Sequence, residues 1–300
     1  MWIFWAAPVL LLLVTLLLEE LYRYIFCRNS SWLFTRLFDK KGHAPEYYVY
    51  RKKGMETMLT APQQEFTIRS HRGQKLKGFY YPCGSQGRII AFAVHGYRSE
   101  HADTGGILYE YYRSRGIDVF ACDHTAQGQS EGHFIGFDVL ESRDCLKWVD
   151  FLIEKFGPDT KIILHGFSMG AATVMQMSSH CPPNVRFIVE DSGYRDAHAA
   201  MDHLIGPLYG PMRLLNRLIA GYDWNDADVT GSLLQSRIPM LFVHGQLDKL
   251  VPYKNGPELY RLYPGEKDCF FPADTRHIES MYTCPQEYAA KLDSFLAKYC

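Results

Sequence analysis

Residues 161–172 read KIILHGFSMGAA, and this stretch decides the fold. Its first four residues have the apolar character of a short buried strand, whereas the alanines after Gly170 favour the first turn of a closely packed helix. Gly166 and Gly170 bracket Ser168, and glycine serves where a chain bends sharply or a backbone comes close. An ordinary Gly/Ser turn is the alternative, but G-x-S-x-G between a strand and a helix is typical of a nucleophile elbow.

The composition limits the classes of function. A chain of 300 residues that is 47% hydrophobic can fill one large domain or two small ones. Because 32 basic residues balance 33 acidic ones, no strong electrostatic field indicates a nucleic-acid partner. The cysteines form no C-x-x-C pair and the histidines no H-E-x-x-H motif, so we predict no metal site. Scattered cysteines in a chain of this length favour buried thiols in a reducing compartment.

The N-terminal residues 1–18, MWIFWAAPVLLLLVTLLL, carry no charged side chain, and Glu19 and Glu20 follow them. Such a run reaches the lower limit for a membrane-spanning helix. A signal peptide would have a basic start and an A-x-A cleavage site, and both are missing. A buried core helix is the other alternative. The sequence therefore predicts an uncleaved transmembrane helix within a membrane anchor over residues 1–28.

The charges around this run predict its orientation. No side-chain cation precedes it, and the positive-inside rule places the flanking cations, with the body of the protein, on the cytoplasmic side. The sequon at 29–31 would argue otherwise only in a luminal eukaryotic protein. The juxtamembrane segment 29–62 mixes aromatic residues and cations, so it either lies on lipid headgroups or packs on the domain as a linker. The cations after the run include Arg23, Arg28, Arg36, Lys40 and Lys41.

From residue 63 onward the chain alternates short apolar runs with helical stretches. EFTIRS and QKLKGFYY alternate like an antiparallel hairpin with Arg72 and Gly73 at its turn. Buried strands alternating with helices predict an α/β domain over 63–300, with a mostly parallel central sheet and helices on both faces. The apolar runs are RIIAFAV (88–94), IDVFA (117–121), KIILH (161–165), RFIVE (186–190), PMLFVH (239–244) and DCFFP (268–272).

The connection between Asp191 and Pro239 is longer than the others and contains several helical pieces. One crossover helix needs fewer residues. In such a sheet the crevice lies outside the carboxyl ends of the strands. We therefore expect residues 193–238 to form a small helical lid over that crevice.

A serine needs a base to take its proton, and the base needs a third group to fix its tautomer. Elbow folds supply these groups in the chain order Ser, Asp or Glu, His. Asp248 follows the strand PMLFVH, and His277 is the only histidine after Asp248. Asp274 and Glu279 are alternative acids, although they lie close to His277 in sequence.

Two backbone N–H groups are expected to stabilise the oxyanion. One belongs to Met169, directly after the serine, and the other to Tyr97, behind Gly96 in the stretch FAVHGYRS. His95 is an alternative base, but we interpret it as a brace for this loop. His165, beside the elbow, is interpreted as structural.

Together these motifs resemble the α/β-hydrolase superfamily over about residues 64–300. The sequence is similar to membrane-anchored bacterial serine hydrolases of the serine-aminopeptidase-like and ABHD depalmitoylase-like branch. The resemblance implies nucleophile Ser168, acid Asp248, base His277 and oxyanion donors Tyr97 and Met169. One departure is His124, where relatives commonly have an arginine. The matching motifs are HGY (95–97), DHTAQGQSEG (123–132), GFSMG (166–170), VHGQLDKLVP (243–252) and the isolated histidine near the C-terminus.

The expected function is that of a membrane-anchored serine hydrolase that cleaves carboxylic esters or thioesters through an acyl-enzyme on Ser168. No cofactor is required, and the expected partners are a small-molecule ester or thioester, an acyl-lipid among them, and the membrane. A serine peptidase of the aminopeptidase-like type is the alternative. A non-catalytic binding protein is a further one, since a fold does not imply a function. Neither the acyl-chain length nor the oligomeric state follows from the sequence.

Overall fold

An eight-stranded sheet forms the centre of the molecule, in the order β1-β2-β4-β3-β5-β6-β7-β8. This computed structural model describes residues 3–28 and 43–300, except for the side chains of 3–7 and 202–204. Strand β2 pairs antiparallel with β1 on one side and with β4 on the other, and all the other neighbouring strands pair parallel. The strands are β1 (Gln64–Arg69), β2 (Lys75–Tyr81), β3 (Ile89–Val94), β4 (Asp118–Cys122), β5 (Lys161–Phe167), β6 (Val185–Asp191), β7 (Met240–Val243) and β8 (Lys267–Phe270).

The helices cover both faces of the sheet. Alternate residues of β3 show this, because Ile90 and Phe92 join one apolar core with Trp148, whereas Ala91 joins the other core with Leu292. The predicted mostly parallel sheet with helices on both faces is confirmed. The helices are α1 (Ile3–Phe26), α2 (Pro45–Leu59), α3 (His101–Arg113), α4 (Val139–Phe156), α5 (Met169–Met177), α6 (Ala197–Ile205), α7 (Tyr209–Ile219), α8 (Thr230–Gln235), α9 (Asn255–Leu262), α10 (Ser280–Thr283) and α11 (Pro285–Tyr299).

Helix α1 packs on the domain through its last turns. Tyr22 and Phe26 are almost fully buried, and the Phe26 ring stacks on Trp224 with 4.3 Å between ring centroids. The Tyr22 hydroxyl donates a hydrogen bond to Asn216 Oδ1 at 2.9 Å. After the helix, the Arg28 amide donates to the His133 carbonyl at 2.8 Å. The end of α1 is therefore part of the hydrophobic core.

These contacts correct the prediction of a transmembrane helix. Glu19, Glu20 and Arg23 lie within the same helix as the apolar run, and the turns that follow them are buried against protein. No helix in the described part of the chain is both long and apolar enough to cross a membrane. The predicted transmembrane helix is not supported.

Helix α2 packs closely on α3. A Cβ atom on Gly54 would lie 2.6 Å from the Gly106 carbonyl oxygen. The two helix backbones can approach this closely because both positions are glycine. Met58 is fully buried at the same contact, and the Tyr47 hydroxyl donates to the Ile278 carbonyl at 3.1 Å. From residue 43 onward the predicted juxtamembrane segment therefore packs on the domain. Its residues 29–42 lie outside the described part of the chain.

Residues 193–238, predicted as a lid, contain α6, α7, α8 and two short 3₁₀ turns. Trp224, Val229 and Leu233 from this segment are fully buried in the core that also holds the end of α1. The segment is thus anchored to the domain along much of its length.

We predict that Phe26→Ala lowers the free energy of unfolding by about 3–5 kcal/mol, because it removes a buried aromatic ring and leaves a cavity. The matched control is Leu12→Ala on the same helix, where the side chain is 59% exposed. That control should change stability by less than about 0.5 kcal/mol. Urea denaturation of both variants measures the difference, and equal stabilities would show that the end of α1 is not part of the core.

Candidate active site

Ser168 lies at a sharp turn between β5 and α5. Its backbone has φ 55° and ψ −118°, a region that a residue with a side chain rarely adopts and that needs support from its surroundings. Two hydrogen bonds hold it there. The Ser168 amide donates to the Asp191 carbonyl on β6 at 2.9 Å, and its carbonyl accepts from the Ala172 amide at 3.1 Å.

The two glycines of the motif allow this turn. A Cβ atom on Gly166 would lie 2.3 Å from the Gly170 carbonyl oxygen, and one on Gly170 would lie 2.0 Å from the Val94 carbonyl oxygen. Helix α5 therefore sits directly against the ends of β3 and β5. Any side chain at either position would push the helix away and displace Ser168.

The structure brings Ser168, His277 and Asp248 together. His277 Nε2 lies 2.9 Å from Ser168 Oγ, and His277 Nδ1 lies 2.6 Å from Asp248 Oδ2. Asp248 lies in the loop after β7 and His277 in the loop after β8, at the carboxyl edge of the sheet. When the proton is on His277 Nδ1, His277 Nε2 accepts a hydrogen bond from the Ser168 hydroxyl. This chain of hydrogen bonds is the arrangement that general-base activation of a serine requires.

Asp248 is held as a carboxylate by its neighbours. Burial acts to raise its pKa, but the charge of His277 and the hydrogen bonds of His244 and His277 outweigh that effect, so the pKa lies below its usual range. Its other oxygen accepts the Leu250 and Val251 amides, each at 2.9 Å. Asp248 is therefore anionic at neutral pH and fixed in position.

The alternative acids face elsewhere. Glu279 Oε1 lies 3.0 Å from His43 Nδ1, and Asp274 is exposed. Of the three carboxylates considered in the sequence, Asp248 is the one hydrogen-bonded to His277.

The backbone groups predicted to bind the oxyanion lie beside the serine. Met169 begins α5, so its N–H has no partner within the helix and carries the partial positive charge of the helix N-terminus. Tyr97 lines the same pocket as Ser168 and His277. A Cβ atom on Gly96 would lie 3.3 Å from the Ser168 Cβ, which shows how closely this loop approaches the serine.

Helix α1 holds the Tyr97 loop. The Tyr97 hydroxyl donates to the Ile25 carbonyl at 2.7 Å, and Arg98 Nε donates to the Tyr97 hydroxyl at 2.8 Å. Arg98 Nη2 also donates to the carbonyls of Tyr24 and Cys27. The interpretation of residues 1–28 as an anchor missed this contact, since nothing in a local apolar run signals a partner so distant in sequence.

His95 and His165 have structural hydrogen bonds. His95 Nδ1 donates to the Gly96 carbonyl at 2.8 Å and Nε2 accepts the His124 amide at 3.0 Å, so both nitrogens are occupied by backbone. His165 lies between the hydroxyls of Tyr112 and Tyr288 at 3.0 and 2.9 Å. Burial lowers the pKa of His165 to about 3, so it stays neutral.

The pocket at Ser168 is small, about 170 Å³. His43 and Arg51 from the N-terminal part of the chain form one wall, and Leu250 and Ile278 lie on another. No described residue of 193–238 lines it. That segment instead lines a neighbouring cavity of about 610 Å³, which Leu250 also borders. The segment predicted as a lid therefore lies beside the Ser168 pocket, and its described residues do not cover it.

Three buried side chains meet away from this pocket. The ligand atoms of Cys122, His124 and Cys145 lie within 4.8 Å of one another. This group was missed from the sequence because Cys145 lies on helix α4, apart from the strand end that carries Cys122 and the loop that carries His124. Structural zinc sites take four protein ligands. We therefore assign no metal to these three residues.

Parts of the chain resemble known proteins in sequence. Residues 85–220 match the family model described as serine aminopeptidase, S33. The chain is 24% identical over 241 residues to the uncharacterized protein YqkD of Bacillus subtilis, covering 77% of this chain and 78% of YqkD. It is 34% identical over 113 residues to the monoglyceride lipase of Mus musculus, covering 37% of this chain and 36% of the lipase.

Among solved structures, the Pyrococcus furiosus esterase Pf2001 superposes with a TM-score of 0.67 at 20% identity. The superposition covers 81% of this chain and 95% of the esterase. This likeness shows a shared α/β-hydrolase fold, and the sequence matches support a hydrolase. They do not test the roles of the individual site residues, which stay predictions.

We predict that Tyr97→Phe lowers kcat for ester hydrolysis by about tenfold, less than the loss of a whole oxyanion donor, because the loop loses its bond to Ile25 while its backbone N–H remains. KM should change little. Steady-state kinetics on p-nitrophenyl butyrate measures both constants.

The matched control is Tyr263→Phe, which removes a hydroxyl bonded to the Ile238 carbonyl far from the serine. It should leave kcat unchanged. If the two variants behave alike, the contact with α1 does not position the loop.

Proposed function

We propose that the chain is a serine hydrolase of the α/β-hydrolase superfamily that cleaves carboxylic esters or thioesters through an acyl-enzyme on Ser168. The observation that carries this proposal is the continuous hydrogen-bonded chain from Ser168 through His277 to Asp248. The esterase fold neighbour and the partial match to a monoglyceride lipase support an ester as the substrate.

Acylation begins when His277 Nε2 takes the hydroxyl proton of Ser168 as the oxygen attacks the substrate carbonyl. The imidazolium that forms is stabilised by Asp248, which is fixed as a carboxylate. The N–H groups of Tyr97 and Met169 donate to the oxyanion of the tetrahedral intermediate. His277 then protonates the departing alcohol or thiol, and the acyl group remains on Ser168.

Deacylation repeats these steps with water. His277 takes a proton from the water as it attacks the acyl-enzyme carbonyl, and the same N–H groups hold the second oxyanion. His277 returns the proton to Ser168 Oγ, and the carboxylic acid leaves. No proton or electron is required from outside this cycle.

An ester is favoured over a peptide. An aminopeptidase must bind a free amine, for which an unpaired carboxylate in the pocket is the natural partner. Asp103 is the acidic residue among the described residues that line the pocket; its Oδ2 accepts the Ser99 hydroxyl, and its Oδ1 lies 3.6 Å from Arg51 Nε. A non-catalytic binding protein would have no need of the hydrogen bonds that align Ser168, His277 and Asp248.

We also propose that the first half of α1 attaches the protein to a membrane, with the domain on the cytoplasmic side. The support is a run of exposed apolar side chains, 43–68% accessible, that surrounds the helix on every face. Arg23 and Arg28 follow this run, and cations beside a membrane-attached segment are attracted by the anionic lipids of the cytoplasmic leaflet. The exposed side chains are Val9, Leu10, Leu11, Leu12, Leu13, Val14, Leu16 and Leu17.

We predict that replacing Leu10, Leu13 and Leu17 together by serine reduces binding of the full chain to phosphatidylcholine vesicles, because apolar area drives insertion into a neutral bilayer. Binding of the unchanged protein should resist high salt. Vesicle flotation measures both. The control replaces Leu214 and Leu218, which are exposed on α7, by serine. Equal flotation of the two variants would contradict membrane attachment by α1.

We predict that Ser168→Ala abolishes covalent labelling by a fluorophosphonate and all ester hydrolysis, while the thermal midpoint moves by less than about 2 °C. His277→Ala should lower kcat by about 10³-fold or more. Asp248→Asn should be severely impaired because the imidazole loses the partner that fixes its tautomer.

The control for labelling is Ser114→Ala, which changes the exposed serine that directly follows the C-terminal end of α3. It should label like the unchanged protein. Labelling that persists in Ser168→Ala would assign the nucleophile to another residue.

A further inference from the structure

Arg51 extends from α2 into the pocket that contains Ser168. Its side chain is 30% exposed, so water reaches part of the guanidinium. The nearest carboxylate is Asp103, with 3.6 Å between Arg51 Nε and Asp103 Oδ1, which is longer than a hydrogen bond. The guanidinium carbon also lies 5.7 Å from the Tyr48 ring centroid. The guanidinium of Arg51 makes no hydrogen bond to the described part of the chain.

The other charged groups of the pocket are already engaged. Arg98 donates to the carbonyls of Tyr24 and Cys27 and to the Tyr97 hydroxyl. His43 is bonded to Glu279, and burial lowers the pKa of its imidazole, so it is neutral near pH 7. Among the described residues that line the pocket, Arg51 is the cation whose guanidinium donates no hydrogen bond; its contact with a carboxylate is the 3.6 Å separation from Asp103.

We propose that Arg51 binds an anionic group, a carboxylate or a phosphate, on the ester that Ser168 cleaves. This inference rests on the proposed function and names a substrate class for the same site. A planar guanidinium matches the two oxygens of a carboxylate or phosphate in a bidentate contact. Partial burial strengthens that contact, because the attraction between charges grows as the effective dielectric constant falls.

The dimensions of the pocket limit where the anion sits. A volume of about 170 Å³ holds a short linker between the reacting carbonyl and the anion, and Ile107, Phe167 and Leu250 provide apolar walls for it. A neighbouring cavity of about 430 Å³ shares Arg98, Ser99 and Asp103 with this pocket. It offers room for the remainder of a larger substrate beyond the linker.

Two pairs of substrates test the proposal. In the first pair the charge is on the acyl side. The mono-p-nitrophenyl ester of glutaric acid is compared with the p-nitrophenyl ester in which a neutral isopropyl group replaces the free carboxylate of the glutaryl chain. In the second the charge is on the alcohol side, and butyryl glycerol phosphate is compared with butyryl glycerol. Values of kcat/KM are measured for the full chain and its variants at low and high salt.

We expect the unchanged protein to prefer the charged member of at least one pair by roughly tenfold, as one partly buried charge pair allows. Arg51→Met should lower kcat/KM for the charged member much more than for the neutral member, so that the preference disappears. Arg51→Lys should retain part of it, since the charge stays but the bidentate geometry is lost. High salt should reduce the preference in the unchanged protein.

The matched control is Lys53→Met, which removes an exposed cation from the same helix. It should keep the preference of the unchanged protein. A protein that cleaves both members of each pair equally well would overturn the proposal and leave the serine hydrolase standing. Equal losses on charged and neutral esters in Arg51→Met would also overturn it. Absence of any hydrolysis and of fluorophosphonate labelling would overturn the hydrolase function itself.

Discussion

The close approach of α5 to the ends of β3 and β5 is the constraint on which the site depends. A Cβ on Gly170 would lie 2.0 Å from the Val94 carbonyl oxygen, so the helix can begin directly above the sheet only with glycine there. Ser168 then has to adopt its positive φ, and its amide bonds to Asp191 on the next strand. The hydroxyl is thereby held at the sheet edge, where the loops after β7 and β8 bring Asp248 and His277 within hydrogen-bonding distance.

The sheet and the three side chains at its edge could be predicted because their signals are local or ordered along the chain. A buried parallel strand is apolar wherever it occurs, and elbow folds place their acid and base in a fixed order after the serine. The membrane-spanning helix was predicted by the same kind of local signal and is not supported. Burial of Tyr22 and Phe26 depends on Asn216 and Trp224, whose positions only the folded chain determines.

The position of the lid segment shows the same limit. Its length and helical pieces indicated an insertion near the crevice, but composition does not say which cavity an insertion borders. The buried Trp224 anchors it beside the larger cavity, while the wall at Ser168 comes from His43 and Arg51. Those two residues lie in a stretch where the sequence allowed either lipid contact or packing on the domain. Gly54 against Gly106 favours packing, a contact between positions distant in sequence.

The N-terminal segments therefore act on the site in two linked ways. The carbonyls of Tyr24 and Cys27, at the end of α1, occupy the guanidinium of Arg98, and the Tyr97 hydroxyl bonds to both α1 and Arg98. Because Arg98 holds the loop, its guanidinium donates hydrogen bonds to backbone carbonyls rather than to a substrate. Arg51, from the next helix, is the pocket cation whose guanidinium donates no hydrogen bond to any residue that the structure describes. The sheet thus supplies the proposed chemistry of Ser168, whereas the chain before β1 holds the Tyr97 loop and provides the residue proposed to select the substrate.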